Sequence, residues 1–253
     1  MRYGCCVSTR EQIDVIARAG FDFCELPAKV VQPFDDDADA LPALREFGAA
    51  PLPAEAFNVL VPPQLPLAGP KRDLGALRAY AQRAFSRMAQ LGAAVVVLGS
   101  GGARRIPEDM PRQAALAELA DSIALIADEA DRAGLQIALE HLNRNECNVF
   151  NTLAESQAFL DEYALPGVRL LADIFHLEVE QEPVAHVAAA GPLLAHAHVA
   201  GGGRRAPNVP GYDYAGFMAA LREAGYDARI SAECSWEDLP AQAAGALAFM
   251  KSF

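Results

Sequence analysis

The chain has no apolar run approaching the roughly 20 residues that a membrane helix needs, so no spanning segment is expected. Its start, "MRYGCCVSTREQ", lacks the apolar stretch of a secretory signal, and the expected location is the cytoplasm. Basic residues are scarce: 21 Lys and Arg stand against 33 Asp and Glu, a net charge of −12. A surface that binds nucleic acid needs clustered positive charge, so neither nucleic acid nor membrane is an expected partner; a small molecule is. Cysteines are few and unpatterned. The five of them (Cys5, Cys6, Cys24, Cys147, Cys234) are odd in number and show no Cys-x-x-Cys spacing, so neither a zinc ribbon nor a disulfide framework is indicated, and they read as small residues in a reducing compartment.

What is present is a large apolar fraction, 52% of 253 residues, enough for a sizeable core. Apolar strand-like runs alternate with helical patterns, the mark of βα units around a parallel sheet. Strands are expected near Tyr3–Val7, Asp22–Leu26, Pro53–Phe57, Ala94–Leu98, Gln136–Glu140, Arg169–Asp173, Leu194–His198 and Arg229–Glu233. Eight of them predict an α/β fold, a single (β/α)8 barrel over residues 1–253. Helix signals fall between the strands: "STREQIDVIARAG" offers Ser8 or Thr9 as a cap and ends at Gly20, and "DYAGFMAALREAGY" repeats the plan. No Pro- or Ser-rich linker divides the chain.

Two connections are unusually long, "NVLVPPQLPLAGPKRD" after the third strand and "AGGGRRAPNVPGYD" after the seventh. In such barrels the loops leaving the strands build the active site. Four strands in succession end on residues with chemistry: Glu140, Asp173, His198 and Glu233. One acid at a strand end is more often a helix cap or a surface charge, but four converging on one rim are not explained that way. Three carboxylates crowded at an apolar barrel mouth repel one another unless protonated or bridged by a cation. Oxygen-rich ligation with one imidazole and no thiolate favours one Mn2+ or Mg2+ ion, with Co2+ as a further candidate. His196 is expected on the other side of its strand from His198, packing or supporting a ligand; His186 is read as structural and His141 as able to orient a neighbour. "GSGGARR" (99–105) and "GGGRR" (201–205) offer a weak phosphate-cradle pattern, without the Lys of a P-loop or a dinucleotide fingerprint.

The segments "ALEHLNRNECN", "LLADIFHLEVE", "HAHVAGGGRRAP" and "GYDARISAE" resemble, in order and spacing, the sugar isomerase and epimerase superfamily built on the xylose-isomerase-like TIM barrel. Within it the chain is most similar to ketose 3-epimerases of the D-tagatose 3-epimerase type and to hydroxypyruvate isomerase-like proteins. The resemblance implies that Glu140, Asp173, His198 and Glu233 hold the metal, that Glu140 and Glu233 form the acid/base pair, and that Glu146, His176 and Arg204 contact substrate. It further implies proton transfer on a small ketose through a cis-enediolate, and a dimer or tetramer. The chain departs from the family at His141, where proline is usual, and at Gly201, where an acid is common. Those positions bear on the choice of substrate. Neighbouring activities are a hydroxypyruvate or tetronate isomerase and an inosose-type dehydratase; a metal-dependent endonuclease fits least, because it needs more His and Asp ligands and a basic face.

Overall fold

The computed structural model describes residues 1–253. Eight strands, β1 (Arg2–Cys6), β2 (Phe23–Pro27), β3 (Ala54–Asn58), β4 (Val95–Leu98), β5 (Gln136–Glu140), β6 (Val168–Asp173), β7 (Leu194–Val199) and β8 (Arg229–Ala232), run in sequence order around a closed barrel. Each pairs in parallel with the next, and β8 closes onto β1 through the Arg2–Arg229 to Cys5–Ala232 register. The expected barrel is therefore the observed one, with strand limits shifted by at most a residue or two. Parallel strands between a helical shell and a filled interior are covered on both faces, which is why "VVVL" of β4 and "RLLAD" of β6 read as near-continuous apolar runs.

Ten helices follow the strands: α1 (Arg10–Ala19), α2 (Asp37–Gly48), α3 (Leu74–Gln90), α4 (Gly101–Arg104), α5 (Arg112–Arg132), α6 (Leu153–Glu162), α7 (Ile174–Glu180), α8 (Ala185–Ala190), α9 (Tyr214–Glu223) and α10 (Leu239–Met250). Local chemistry sets their ends. Of the two candidate caps of α1 it is Thr9 that acts, in a reciprocal box with Gln12, and Gly20 closes the helix in the left-handed region. Asp213 caps α9 through its carboxylate to the Gly216 N–H at 2.9 Å. Two short helices stand on the strand-exit side: α7 starts directly after β6, and α4 starts two residues after β4, past Gly99 and Ser100.

The core has two parts. A cluster of 66 buried residues fills the space between the strands and the helical ring, and a separate one of 6, Phe23, Ala56, Val95, Val97, Ala138 and Leu171, plugs the barrel itself. Those six lie at positions that share the inward face of their strands. Phe23 is the plug's largest member, and it fits because Gly4 opposite has no side chain: a Cβ there would strike the Phe23 ring. Phe23→Ala is expected to destabilise the protein by about 3–5 kcal/mol, read as a lower urea midpoint, because the closed barrel cannot collapse onto the cavity.

Candidate active site

Moving two residues further along each strand from the apolar plug keeps the side chain inside the barrel and carries it to the mouth. From Phe23 that step reaches Glu25, from Ala56 Asn58, from Ala138 Glu140, from Leu171 Asp173, from His196 His198, and from Ser231 Glu233. A polar layer thus sits directly on an apolar one. Ligand-type atoms of Glu140, Asp173, His198 and Glu233 all lie within 4.8 Å of one another. Glu233 falls one residue beyond β8, yet its N–H still donates to the Val199 carbonyl at 3.0 Å, so the strand geometry extends through it.

His198 is the hub. Its Nδ1 lies 3.2 Å from Glu140 Oε1 and 3.4 Å from Glu233 Oε2, while its Nε2 lies 2.9 Å from Glu25 Oε1. The other oxygen of Glu25 is 2.7 Å from His196 Nε2. His196 therefore points into the barrel and not away from it. Residues two apart share a face of a strand, so the expectation of opposite sides is corrected: both imidazoles of β7 close on one carboxylate. Glu25 was not singled out in the sequence, where it reads as an interior residue of the second strand. Its position two after Phe23 was the available signal.

Burial raises the cost of charge throughout this layer, and the neighbours decide who bears it. Burial opposes ionisation of Glu25, but His198 and His196 outweigh it and hold the carboxyl well below its usual range. Burial likewise opposes the His198 imidazolium, and Glu25 and Glu233 override it, raising that pKa well above the ordinary value. Glu233 is brought down to about 2 against the pull of burial by His198 and Arg204. Asp173 goes the other way: burial, with the Glu233 charge behind it, pushes it up to about 8. Without a further cation the layer carries more carboxylates than it can ionise.

Asp173 ends β6 and caps α7 at once. Its Oδ1 accepts the Phe175 N–H at 2.9 Å, and its own N–H donates to His141 Nε2 at 3.2 Å. Oδ2 is buried with no hydrogen-bond partner. One turn later, His176 Nδ1 accepts the Asn143 backbone N–H at 3.1 Å, with the Asn143 amide nitrogen at 2.9 Å. Burial lowers the His176 pKa to about 2, so the ring is neutral and its proton sits on Nε2, unpartnered and 3.5 Å from Asp173 Oδ2. His141 is buried and neutral, lowered to about 3 chiefly by burial, and it orients Asp173. His186 lies outside the barrel, 2.8 Å from Glu182.

Glu146 and Arg204 complete the rim. Arg204 Nη2 donates to Glu233 at 2.7 Å, Nη1 reaches Glu146 at 3.2 Å, and the guanidinium lies 4.5 Å from the centre of the Phe175 ring. Asn143 donates to the same Glu146 oxygen at 3.0 Å. The glycine loop before Arg204 is fixed by Gly203 and Arg204 N–H groups on the Tyr212 hydroxyl, at 3.1 and 3.3 Å. The other glycine loop serves packing: a Cβ at Gly99 would collide with the Glu140 carboxylate. Arg104 in that loop is fully buried and donates to the Leu98 carbonyl at 3.0 Å and the Glu140 carbonyl at 2.6 Å. Its guanidinium is committed to the main chain, so the phosphate cradle read for residues 99–105 is replaced by a brace under Glu140.

The donor set fits a divalent cation. Asp173 Oδ2 is an acceptor with nothing to accept from, and the surrounding charge is one that a dication relieves. A second trio, Cys6, Glu25 and His198, also lies within reach of one point, but Glu25 is saturated by two imidazoles and Cys6 Sγ accepts from Asn58 at 3.5 Å. Only the upper set leaves an acceptor free. The Glu25 contact directs His198: with Nε2–H on the carboxylate, Nδ1 faces Glu140 and Glu233, and loss of its proton would present a lone pair to a cation there.

Fold and site together define a parallel β/α barrel with a cluster of carboxylates and one imidazole at the strand exits that could hold a metal ion. The chain belongs to the xylose isomerase-like TIM barrel family, whose model matches residues 13–253. It is 36% identical over 127 residues to an L-ribulose 3-epimerase of Methylomonas sp. (strain DH-1), a match spanning 49% of this chain and 44% of that protein. A longer match, 26% identical over 234 residues, covers 87% of the chain and 77% of a D-psicose 3-epimerase of Agrobacterium fabrum. In fold it is similar to a D-allulose 3-epimerase from Methylomonas sp. solved with D-allulose, with a TM-score of 0.85 at 24% identity over 100% of this chain and 96% of that one. These relatives are isomerase-class enzymes. No helix is long and apolar enough to cross a membrane.

Glu25→Gln is expected to weaken Mn2+ or Co2+ binding about 10–100-fold in calorimetric titration, with the fold kept, and Asp173→Ala to abolish tight binding. Undiminished affinity in both variants would remove the ion from this cluster.

Proposed function

We propose that the protein is a divalent-metal-dependent epimerase or isomerase of a small ketose, moving a carbon-bound proton between Glu140 and Glu233. The observation that carries this reading is that two carboxylates from β5 and the end of β8 reach the same His198 nitrogen, at 3.2 and 3.4 Å, and so flank one small volume beside an unpartnered Asp173 oxygen. The names of the relatives, ketose 3-epimerases among them, support the same chemistry.

Glu140, Asp173, His198 and Glu233 would hold one ion, Mn2+ or Mg2+, or Co2+. When bound, such an ion supplies Lewis acidity that polarises a substrate carbonyl and acidifies the neighbouring C–H. One of Glu140 and Glu233 accepts that proton, and the resulting enediolate is reprotonated by the other from the opposite face, which inverts the carbon. Removal of a C1 proton instead, with its return to C2, gives an aldose. His176, whose Nε2 has no hydrogen-bond partner beside Asp173, and Arg204 would donate to the oxygen on which negative charge grows, each of the kind of preset donor worth about 3–4 kcal/mol. Glu146, held by Asn143 and Arg204, accepts from substrate hydroxyls. We place the protein in the cytoplasm on its cysteine usage and expect the dimer or tetramer that the family resemblance implies.

The test is turnover of ketopentoses and ketohexoses in D2O by Mn2+-loaded enzyme, followed by NMR. The converted carbon should carry deuterium with the molecular formula otherwise unchanged, and Glu140→Gln and Glu233→Gln should each cut turnover by about 10^2–10^4-fold. Loss of water as the main outcome would make the protein a dehydratase.

Arg204→Ala separates chemistry from stability. Its ion pairs are partly exposed and contribute about 0–1 kcal/mol to folding, so the urea midpoint should barely move. The kcat should fall about 10^2-fold or more, and an unchanged kcat/KM would return Arg204 to an ordinary surface charge.

A further inference from the structure

Beside the cleft lies a second hollow for which the proton transfer has no use. Its volume is about 570 Å3, against about 220 Å3 for the cleft around Glu140, Glu146, Arg204 and Glu233. Val59 and Pro63 line both, so the two spaces are neighbours at the exit of β3. The cleft is about the size for one sugar ring, and its lining is charged. The hollow is walled largely by apolar groups, with Phe34, Tyr80 and Val59 foremost. Phe34 and Val59 are also the two most exposed large apolar side chains of the chain, at 54% and 58%.

These walls are built in advance. Arg87 of α3 is 2% exposed and spends its guanidinium on the loop that carries Phe34: it donates to the carbonyls of Val31 (3.0 Å), Gln32 and Asp35 (2.8 Å), and to the Asp37 carboxylate (2.8 Å). Arg83 adds a bond to the Pro33 carbonyl at 2.8 Å. Tyr80, also from α3, donates its hydroxyl to the Leu60 carbonyl at 2.7 Å and sets its ring 4.9 Å from that of Phe34. One helix therefore fixes both sides of the hollow. Two wall residues, Gln32 and Val59, stand at φ +48, a left-handed conformation that is costly for a β-branched side chain and that clusters where ligands are held.

One sugar ring takes up the cleft of about 220 Å3, so a free monosaccharide seated there leaves this wall uncovered. Building on the ketose reading above, we propose that the substrate is a keto-sugar glycoside, its sugar ring in the cleft and an aromatic or apolar aglycone against Phe34 in the adjoining hollow. The consequence for the chemistry is definite. An aglycone locks the anomeric carbon, so the carbonyl is a ring ketone and no aldose can form; return of the proton from the opposite face to the carbon it left gives an epimer.

Binding tests this without requiring turnover. With Mg2+-loaded enzyme, phenyl β-D-glucopyranoside should bind about ten-fold or more tighter than the methyl glycoside by calorimetry, and Phe34→Ala should erase that difference. Phe34 is half exposed, so its truncation leaves the core intact, which unchanged circular dichroism and urea midpoint verify. In turnover, the ratio of kcat/KM for a phenyl keto-glycoside to that for D-psicose should exceed one and fall about ten-fold in the variant. Equal binding of the two glycosides, or a preference that survives Phe34→Ala, overturns the aglycone site while leaving ketose epimerisation standing. A phenyl preference in an enzyme that turns over no sugar keeps the site and overturns the chemistry. A dimer by sedimentation that Phe34→Ala converts to monomer gives the hollow to a second copy of the chain, and the proposal fails.

Discussion

The controlling constraint is an excess of negative charge placed where water cannot screen it. Glu25, Glu140, Asp173 and Glu233 meet around one imidazole with one guanidinium at the rim, directly above an apolar plug. A low-dielectric floor makes both repulsion and attraction stronger than they are at a surface. The protein alone resolves part of the conflict by holding His198 charged and Asp173 protonated. That arrangement suits the ion proposed above: a dication would replace the protons, and the geometry that crowds the carboxylates would be the geometry that binds it.

Strand ends carry this charge because they do not yield. Each acid is fixed by a ladder of parallel hydrogen bonds, and several are braced from behind as well: Arg104 grips the main chain at Glu140, and His141 accepts the N–H of Asp173. Glu25 shows the same economy in a single side chain. Bonded to both histidines of β7, it sets the direction of His198 and fills the space under the cluster, so the second possible trio with Cys6 has no acceptor left over. Rigid placement of repelling groups costs folding free energy that the 66-residue outer core supplies.

The barrel and its upper rim were legible because both follow from patterns local to each strand. Buried parallel strands print as apolar runs, and a run that ends on Glu, Asp or His shows its terminal residue in the sequence. Glu25 stayed hidden because it is not terminal: Leu26 and Pro27 follow it in β2, and only the parity set by Phe23 reveals that it faces inward. The same parity, applied to β7, would have placed His196 beside His198. Arg104 could not be read at all. A Gly-Gly-Ala-Arg-Arg loop looks like an anion cradle, and only the folded path shows the guanidinium turning back onto carbonyls.

The two hollows are preorganised by different means, and the difference matters for how such a barrel changes substrate. The carboxylate cluster rests on strand ends shared with the barrel's own hydrogen bonding, so the backbone at Glu140 or Asp173 cannot shift without disturbing the cylinder. The apolar hollow rests on loops tied down by three side chains of α3, Tyr80, Arg83 and Arg87, none of which touches the carboxylate cluster. A loop held in this way can exchange Phe34 or Val59 for other residues while its backbone path is kept by bonds to carbonyls, which are indifferent to the side chains they belong to. On the reading proposed above, substrate choice is thereby separated from proton transfer: the first would reside in replaceable side chains on a fixed loop, the second in the ends of strands that the fold cannot move.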